Sequence, residues 1–113
     1  MNNVNGSGPL TFAISNEKVI SSTEVHLALD GHLDAEGAPV LSDELSKKLE
    51  AGIQNVTLDL SRVLFISSTG IGTLIAAIGE FRDVGGDIIV KGLSPELREV
   101  FEMLDLLDYV TVA

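Results

Sequence analysis

Val56-Thr57-Leu58-Asp59-Leu60-Ser61-Arg62-Val63-Leu64-Phe65-Ile66-Ser67-Ser68-Thr69-Gly70-Ile71-Gly72 is the stretch on which the reading of this chain turns. Val56 to Leu60 alternates apolar and polar residues, the period of a strand with one buried face. Ser61-Arg62 reads as a turn, and Val63-Leu64-Phe65-Ile66 as an apolar run that leads straight into three hydroxyl residues. From Ile71 the period changes. Ile71, Leu74, Ile75, Ile78, Phe81 and Val84 recur at helical spacing until Gly85-Gly86 stops them.

The flanking sequence repeats this alternation of strand and helix. Upstream, Leu10, Phe12 and Ile14 alternate with small polar residues, and Val25, Leu27 and Leu29 do the same after turn material at Asn16-Glu17-Lys18 and Ser21-Ser22-Thr23. These are expected to form an antiparallel pair of strands, with Gly31 ending the second. A helix follows: Pro39 suits a first turn, where its missing N–H is not needed. Val40, Leu41, Leu45 and Leu49 give its apolar stripe, Ser42, Asp43, Glu44, Ser46, Lys47 and Lys48 its wet side, and Gly52 its end. Downstream, Asp87-Ile88-Ile89-Val90-Lys91 is a short β-branched strand of the kind buried in a parallel sheet. Ser94 as N-cap, Pro95 in the first position and Glu96 in the first turn start a third helix. Its buried stripe is read as Leu97, Val100, Phe101 and Leu104, and a last strand is expected at 109–112. Met103-Leu104-Asp105-Leu106-Leu107 is taken as core and helix end. The order is β-β-α-β-α-β-α-β, an α/β fold with a mixed, mostly parallel sheet and amphipathic helices. Residues 1–9 read as a polar, Gly-rich leader and 10–113 as one domain.

Composition narrows the function. The chain has 113 residues, few aromatics and no Trp, so its core is built from Leu, Ile and Val. Against 7 Lys and Arg stand 17 Asp and Glu, a formal net charge of -10. Such a surface repels phosphate backbones and anionic lipid, which speaks against nucleic acid and membrane as partners. With no Cys, and with His26 and His32 lacking ligands at zinc-site spacing, no metal site is expected. His26 is placed on the polar side of a strand and His32 in a turn. No apolar run is long enough to span a bilayer and no signal peptide is visible, so the expected location is cytoplasmic. Asp34 and Asp59 are read as a loop acid and a strand acid rather than a catalytic pair. No nucleotide-binding or hydrolase motif is present, and no cofactor is expected. Lys91 is an exposed strand-end lysine.

The candidate chemistry lies at Ser67-Ser68-Thr69. A hydroxyl before a helix is usually a cap for the free N–H groups of the first turn. The same place favours an anion such as phosphate. Gly70 and Gly72 add little bulk, which suits either close approach of another protein or tight internal packing.

The segment from Asp59 to Gly72 resembles the signature of STAS-domain anti-sigma-factor antagonists, in outline D-L-S-x-V-x-x-[IM]-D-S-[ST]-G-[LI]-G. Gly31-His32-Leu33-Asp34, Ala38-Pro39, Gly85-Gly86-Asp87-Ile88-Ile89-Val90 and Leu93-Ser94-Pro95-Glu96-Leu97 resemble the family's other motifs, in the same order. The resemblance implies a single STAS domain and a bacterial partner-switching regulator that is not an enzyme. It implies phosphorylation at Ser68, with Ser67 and Thr69 as alternatives, by a serine kinase that is also the anti-sigma factor. A phosphatase would reset the switch. The partner-binding set it implies is Asp34, Ser67, Ser68, Thr69, Gly70, Ile71 and Gly72, on a monomer or weak dimer. The family's aspartate before the phosphoserine is Ser67 here. The other reading is a constitutive STAS adaptor in a transporter or signalling scaffold, without phosphorylation.

Overall fold

The computed structural model describes residues 11–113; the expected leader and Leu10 lie outside them. The elements are β1 (Ala13–Val19), β2 (Glu24–Leu33), α1 (Gly37–Glu50), β3 (Asn55–Ile66), α2 (Ser68–Asp83), β4 (Asp87–Lys91), α3 (Pro95–Met103) and β5 (Thr111–Val112). This is the order expected. The sheet runs β1-β2-β3-β4-β5, with β1 antiparallel to β2 and every later pair parallel. Each crossover moves one strand in the same direction. Right-handed connections therefore lay α1, α2 and α3 on one face of the sheet.

That face is the core. Val25, Leu27, Leu29 and Leu33 of β2, Val56, Leu58 and Leu60 of β3, and Ile88 and Val90 of β4 point into it and are buried. The helices answer with Leu41 and Leu45, then Leu74, Ile78 and Phe81, then Leu97 and Phe101. No helix among the described residues is long and apolar enough to cross a membrane.

Several local expectations need correction. β1 begins at Ala13, after Phe12, and β2 does not end at Gly31 but continues to Leu33, so His32 is a strand residue. Gly31 sits at φ 92, and a side chain there would run into the Thr11 carbonyl, so the strand passes through this point only with glycine. Val40, Val84 and Leu104, read as stripe residues, are exposed because they lie at the edges of their helical faces or at helix ends. Met103 is exposed as well, while Leu106 and Leu107 are packed against the core. The last strand is only Thr111–Val112.

The largest difference is in β3. The expected turn at Ser61-Arg62 is a β-bulge, and the strand runs unbroken for 12 residues beside the 10 of β2. The pairing shifts register twice, between Ala28 and Asp30 and between Gly31 and His32, each time taking up one extra residue of β3. The Asp59 carboxylate accepts the Ser61 N–H at 2.9 Å inside the first bulge. That bond holds Asp59 below its ordinary pKa and leaves it a structural acid.

Phe81 is fully buried where α2 meets the sheet. Phe81→Ala is expected to lower unfolding free energy by about 3–5 kcal/mol, read from urea denaturation curves.

Candidate functional site

The C-terminal end of β2 organises the site. Leu33 is its last residue, and its carbonyl accepts the Ser67 backbone N–H at 3.0 Å, tying the β3–α2 loop to the neighbouring strand. The next residue, Asp34, turns its carboxylate onto the start of α1. Its Oδ1 accepts the Gly37 N–H at 3.0 Å and the Glu36 N–H at 3.1 Å. One dipeptide thus anchors the entries of two helices. Their N-termini sit at the same edge of the sheet, where the parallel strands end.

Ser67 is the N-cap of α2. Its Oγ accepts the Gly70 N–H at 3.2 Å and lies 3.5 Å from the Leu33 carbonyl. Capping by Ser satisfies one of the donors that a first turn leaves without an intrahelical acceptor. Of the three hydroxyls, then, the half-buried Ser67 is engaged in structure. Ser68 and Thr69 occupy the first two helical positions and are exposed. Neither α1 nor α2 carries an acidic residue in its first turn, whereas α3 has Glu96 there. The positive end of α2 faces solvent beside Ser68 with no carboxylate of its own turn to offset it, a place suited to an added anion.

The glycines divide. Gly70 is buried, and a Cβ there would overlap the Leu33 carbonyl oxygen and press on the Leu33 and Ile66 side chains. It permits helix to lie on strand and is not a point of approach for another protein. Ile71 is likewise turned into the core. Gly72 is different: it is exposed, and a Cβ there would meet nothing within 4 Å. Of the expected partner-binding set, Ser68, Thr69 and Gly72 reach the surface, Asp34 and Ser67 frame it half-buried, and Gly70 and Ile71 support it from beneath.

Gly72 and Thr69 border a groove of about 410 Å³ between α1 and α2, lined further by Ser42, Ser46, Thr73 and Glu80. Sequence reading placed Ser42 and Ser46 on the wet side of α1 without giving them a role. The available signal was small and hydroxyl residues spaced four apart on both helices, which lie face to face. Next to the hydroxyl loop on the strand side, Leu64 and Phe65 are exposed, and the Phe65 ring tilts against His32 with centroids 5.5 Å apart. His26 sits within 3.4 Å of Glu24. Asp34 and Asp59 are each committed to separate backbone N–H groups.

A family model for the STAS domain matches residues 7–113, and the chain belongs to the STAS-domain family. BtrV of Bordetella bronchiseptica, named as an anti-sigma factor antagonist, is 34% identical over 85 residues, covering 75% of this chain and 73% of BtrV. The anti-sigma-B factor antagonist of Listeria monocytogenes is 28% identical over 89 residues, covering 78% and 77%. Among solved structures, the phosphorylated form of the Bacillus cell fate determinant SpoIIAA superposes with a TM-score of 0.69 at 22% identity, covering 91% of each chain. At that identity it shows the shared fold.

The two glycines give opposite expectations. Gly70→Ala should destabilise by about 1–3 kcal/mol, because a methyl group is forced against backbone. Gly72→Ala should stabilise by about 0.5–1 kcal/mol through helix propensity. Chemical denaturation of both variants checks this, and equal effects would contradict the geometry.

Asp34 adds a pH dependence. The Gly37 N–H, and after it that of Glu36, holds its carboxyl below the ordinary value, against a partial opposing effect of desolvation. With the folded pKa below the unfolded one, its stabilising contribution is present above the unfolded value and is lost as pH falls through the folded one. Asp34→Asn keeps an oxygen for the cap but removes the titration. The fall in urea midpoint between about pH 5 and pH 2 should be shallower in this variant than in the wild type.

Proposed function

We propose that the chain is an anti-sigma-factor antagonist working by partner switching, with Ser68 as the phosphorylated residue. Unphosphorylated, it binds an anti-sigma factor that is also a serine kinase; phosphorylated at Ser68, it is released, and a phosphatase restores it. The chain is the substrate of these reactions and performs no catalysis of its own.

The observation that carries this reading is the division of labour among the hydroxyls. Ser67 is used as the cap of α2, while Ser68, at the first helical position, is exposed beside it. The acceptor that the family signature implies is thus presented to solvent, as Thr69 is, while Ser67 is half-buried. Names of the relatives from Bordetella and Listeria support the same reading. A phosphate on Ser68 adds about -1.5 to -2 charge at neutral pH and a tetrahedral group on a surface that a partner must cover closely. It is held by the positive end of α2, so the modified chain stays folded while its contact surface changes.

Ser67 in place of the family's aspartate keeps the cap but removes a carboxylate from the helix entry. This favours the second reading only if Ser68 is left unmodified in the cell; the chain would then be a constitutive STAS adaptor.

The partner kinase is recovered by pull-down from the source cell and identified by mass spectrometry, together with the 67–69 peptide. Ser68→Asp is expected to weaken its binding at least tenfold, about 1.4 kcal/mol. Ser68→Ala should bind yet accept no phosphate. Calorimetry showing Ser68→Asp bound as tightly as wild type would sink the switch, and a dominant phosphopeptide on Ser67 or Thr69 would move it.

A further inference from the structure

Leu64 and Phe65 are 63% and 47% exposed, side by side in a strand that otherwise buries its apolar side chains. The cause is the double bulge. Val56, Leu58 and Leu60 face the core at even positions. A strand without bulges would continue with residues 62, 64 and 66, burying Arg62 and Leu64. The first bulge moves the inward position to Val63 and leaves Arg62 outside in an ion pair with Asp30 at 3.2 Å. With that bulge alone the next inward residue would be Phe65. The second bulge restores even parity, so that Ile66 is buried and both Leu64 and Phe65 are left outside.

Each bulge interrupts the ladder of hydrogen bonds, and bulges gather where a side chain has to be re-aimed beside a functional site. Here the second one falls at the end of β3, next to the loop that carries the hydroxyls. Leu64 itself has no paired residue on β2, while Phe65 pairs with His32, whose ring lies against it. The His32 ring thus supports one side of Phe65 before any partner arrives, which reduces the side-chain freedom lost on binding. Ser67, two residues on, is bonded to Leu33, so strand end and hydroxyl loop form one rigid unit.

We propose that Leu64 and Phe65 are the apolar anchor of the partner-kinase interface, seated in an apolar pocket of the kinase while Ser68 reaches its phosphoryl donor. The occupant follows from continuity: a protein that covers Ser68 closely enough to phosphorylate it also covers the strand end three residues before it. It also follows from charge. With a net charge of -10, this chain attracts a basic partner broadly, and an uncharged pair beside the acceptor supplies the fixed register that broad attraction lacks. The phosphate then acts against a contact whose energy comes from these two side chains. This proposal rests on the partner-switching reading of Ser68.

The test uses the full chain and the purified partner kinase. Leu64→Ser is expected to weaken binding at least tenfold and to raise the KM for phosphorylation of Ser68 by a similar factor, with kcat kept within twofold. Leu64→Met, which keeps an apolar side chain, should restore wild-type affinity. Amide NMR spectra of both variants establish that the fold is retained; if Leu64→Ser does not fold, Leu64→Gln and Phe65→Gln are measured in the same way. Wild-type affinity for all folded variants, in a system where Ser68→Asp abolishes binding, overturns the anchor and leaves the switch intact. Loss of kcat at unchanged KM also overturns it. If light scattering shows that Leu64→Ser only converts a dimer to a monomer, the pair serves self-association instead. Should neither Ser68→Asp nor Leu64→Ser affect binding, the switch itself is wrong.

Discussion

The carbonyl of Leu33 is the point through which strand and helices are coupled in this molecule. It accepts the Ser67 N–H at 3.0 Å, and the Gly70 backbone packs so closely on it that no side chain fits between. Directly after it, Asp34 caps α1 through two backbone N–H bonds. A shift at Leu33 would therefore move both helix entries together. Buried backbone groups need partners, and here one strand end supplies partners for two helices. The hydroxyl loop is consequently held by main-chain bonds on its inner side and left open on its outer side.

This arrangement separates two jobs that could have competed for the same residues. Capping needs a side chain turned inward to the first-turn N–H groups, and Ser67 provides it. Modification needs a hydroxyl turned outward, at a place where negative charge is tolerated. The first turn of α2 offers such a place because its own residues bring no carboxylate. An anion there is favoured by roughly 0.3–1 kcal/mol at an exposed helix start. That is small against the effect of the same anion on a closely packed protein contact. The fold can thus accommodate a modification that a partner cannot, which is the physical basis of a binding switch.

The rest of the surface is consistent with a binding protein. The ion pair of Lys48 with Glu17 ties α1 to β1, Glu44 one turn earlier on α1 pairs with the same ammonium, and the two carboxylates raise the Lys48 pKa. Arg82 is similarly used to tie α2 to Asp87 and to the Tyr109 carbonyl. Several of the few cations are thus spent internally, so that the remaining acidic surface presents a field of one sign to an approaching protein.

What the sequence determined by itself was the order of elements, the helix stops and most of the core. Periods of two and of 3.6 are local properties, and Ser94-Pro95-Glu96 or Gly85-Gly86 signal a helix boundary without reference to anything distant. The STAS family was legible too, because a chain of short motifs was present in order. The tertiary structure decided what depends on a neighbour. Ser61-Arg62 read as a turn because a bulge leaves no mark in one strand alone; it exists only as a mismatch between 12 residues of β3 and 10 of β2. For the same reason the apolar run 63–66 did not reveal which of its residues are buried: Val63 and Ile66 are, Leu64 and Phe65 are exposed, since parity after a bulge is set by the partner strand. The roles of Gly70 and Gly72, two residues apart and alike on paper, were separated by the Leu33 carbonyl beneath one and open solvent beside the other. Which of three adjacent hydroxyls caps the helix was likewise fixed by where β2 ends, because only that strand end determines which N–H and which side chain turn inward.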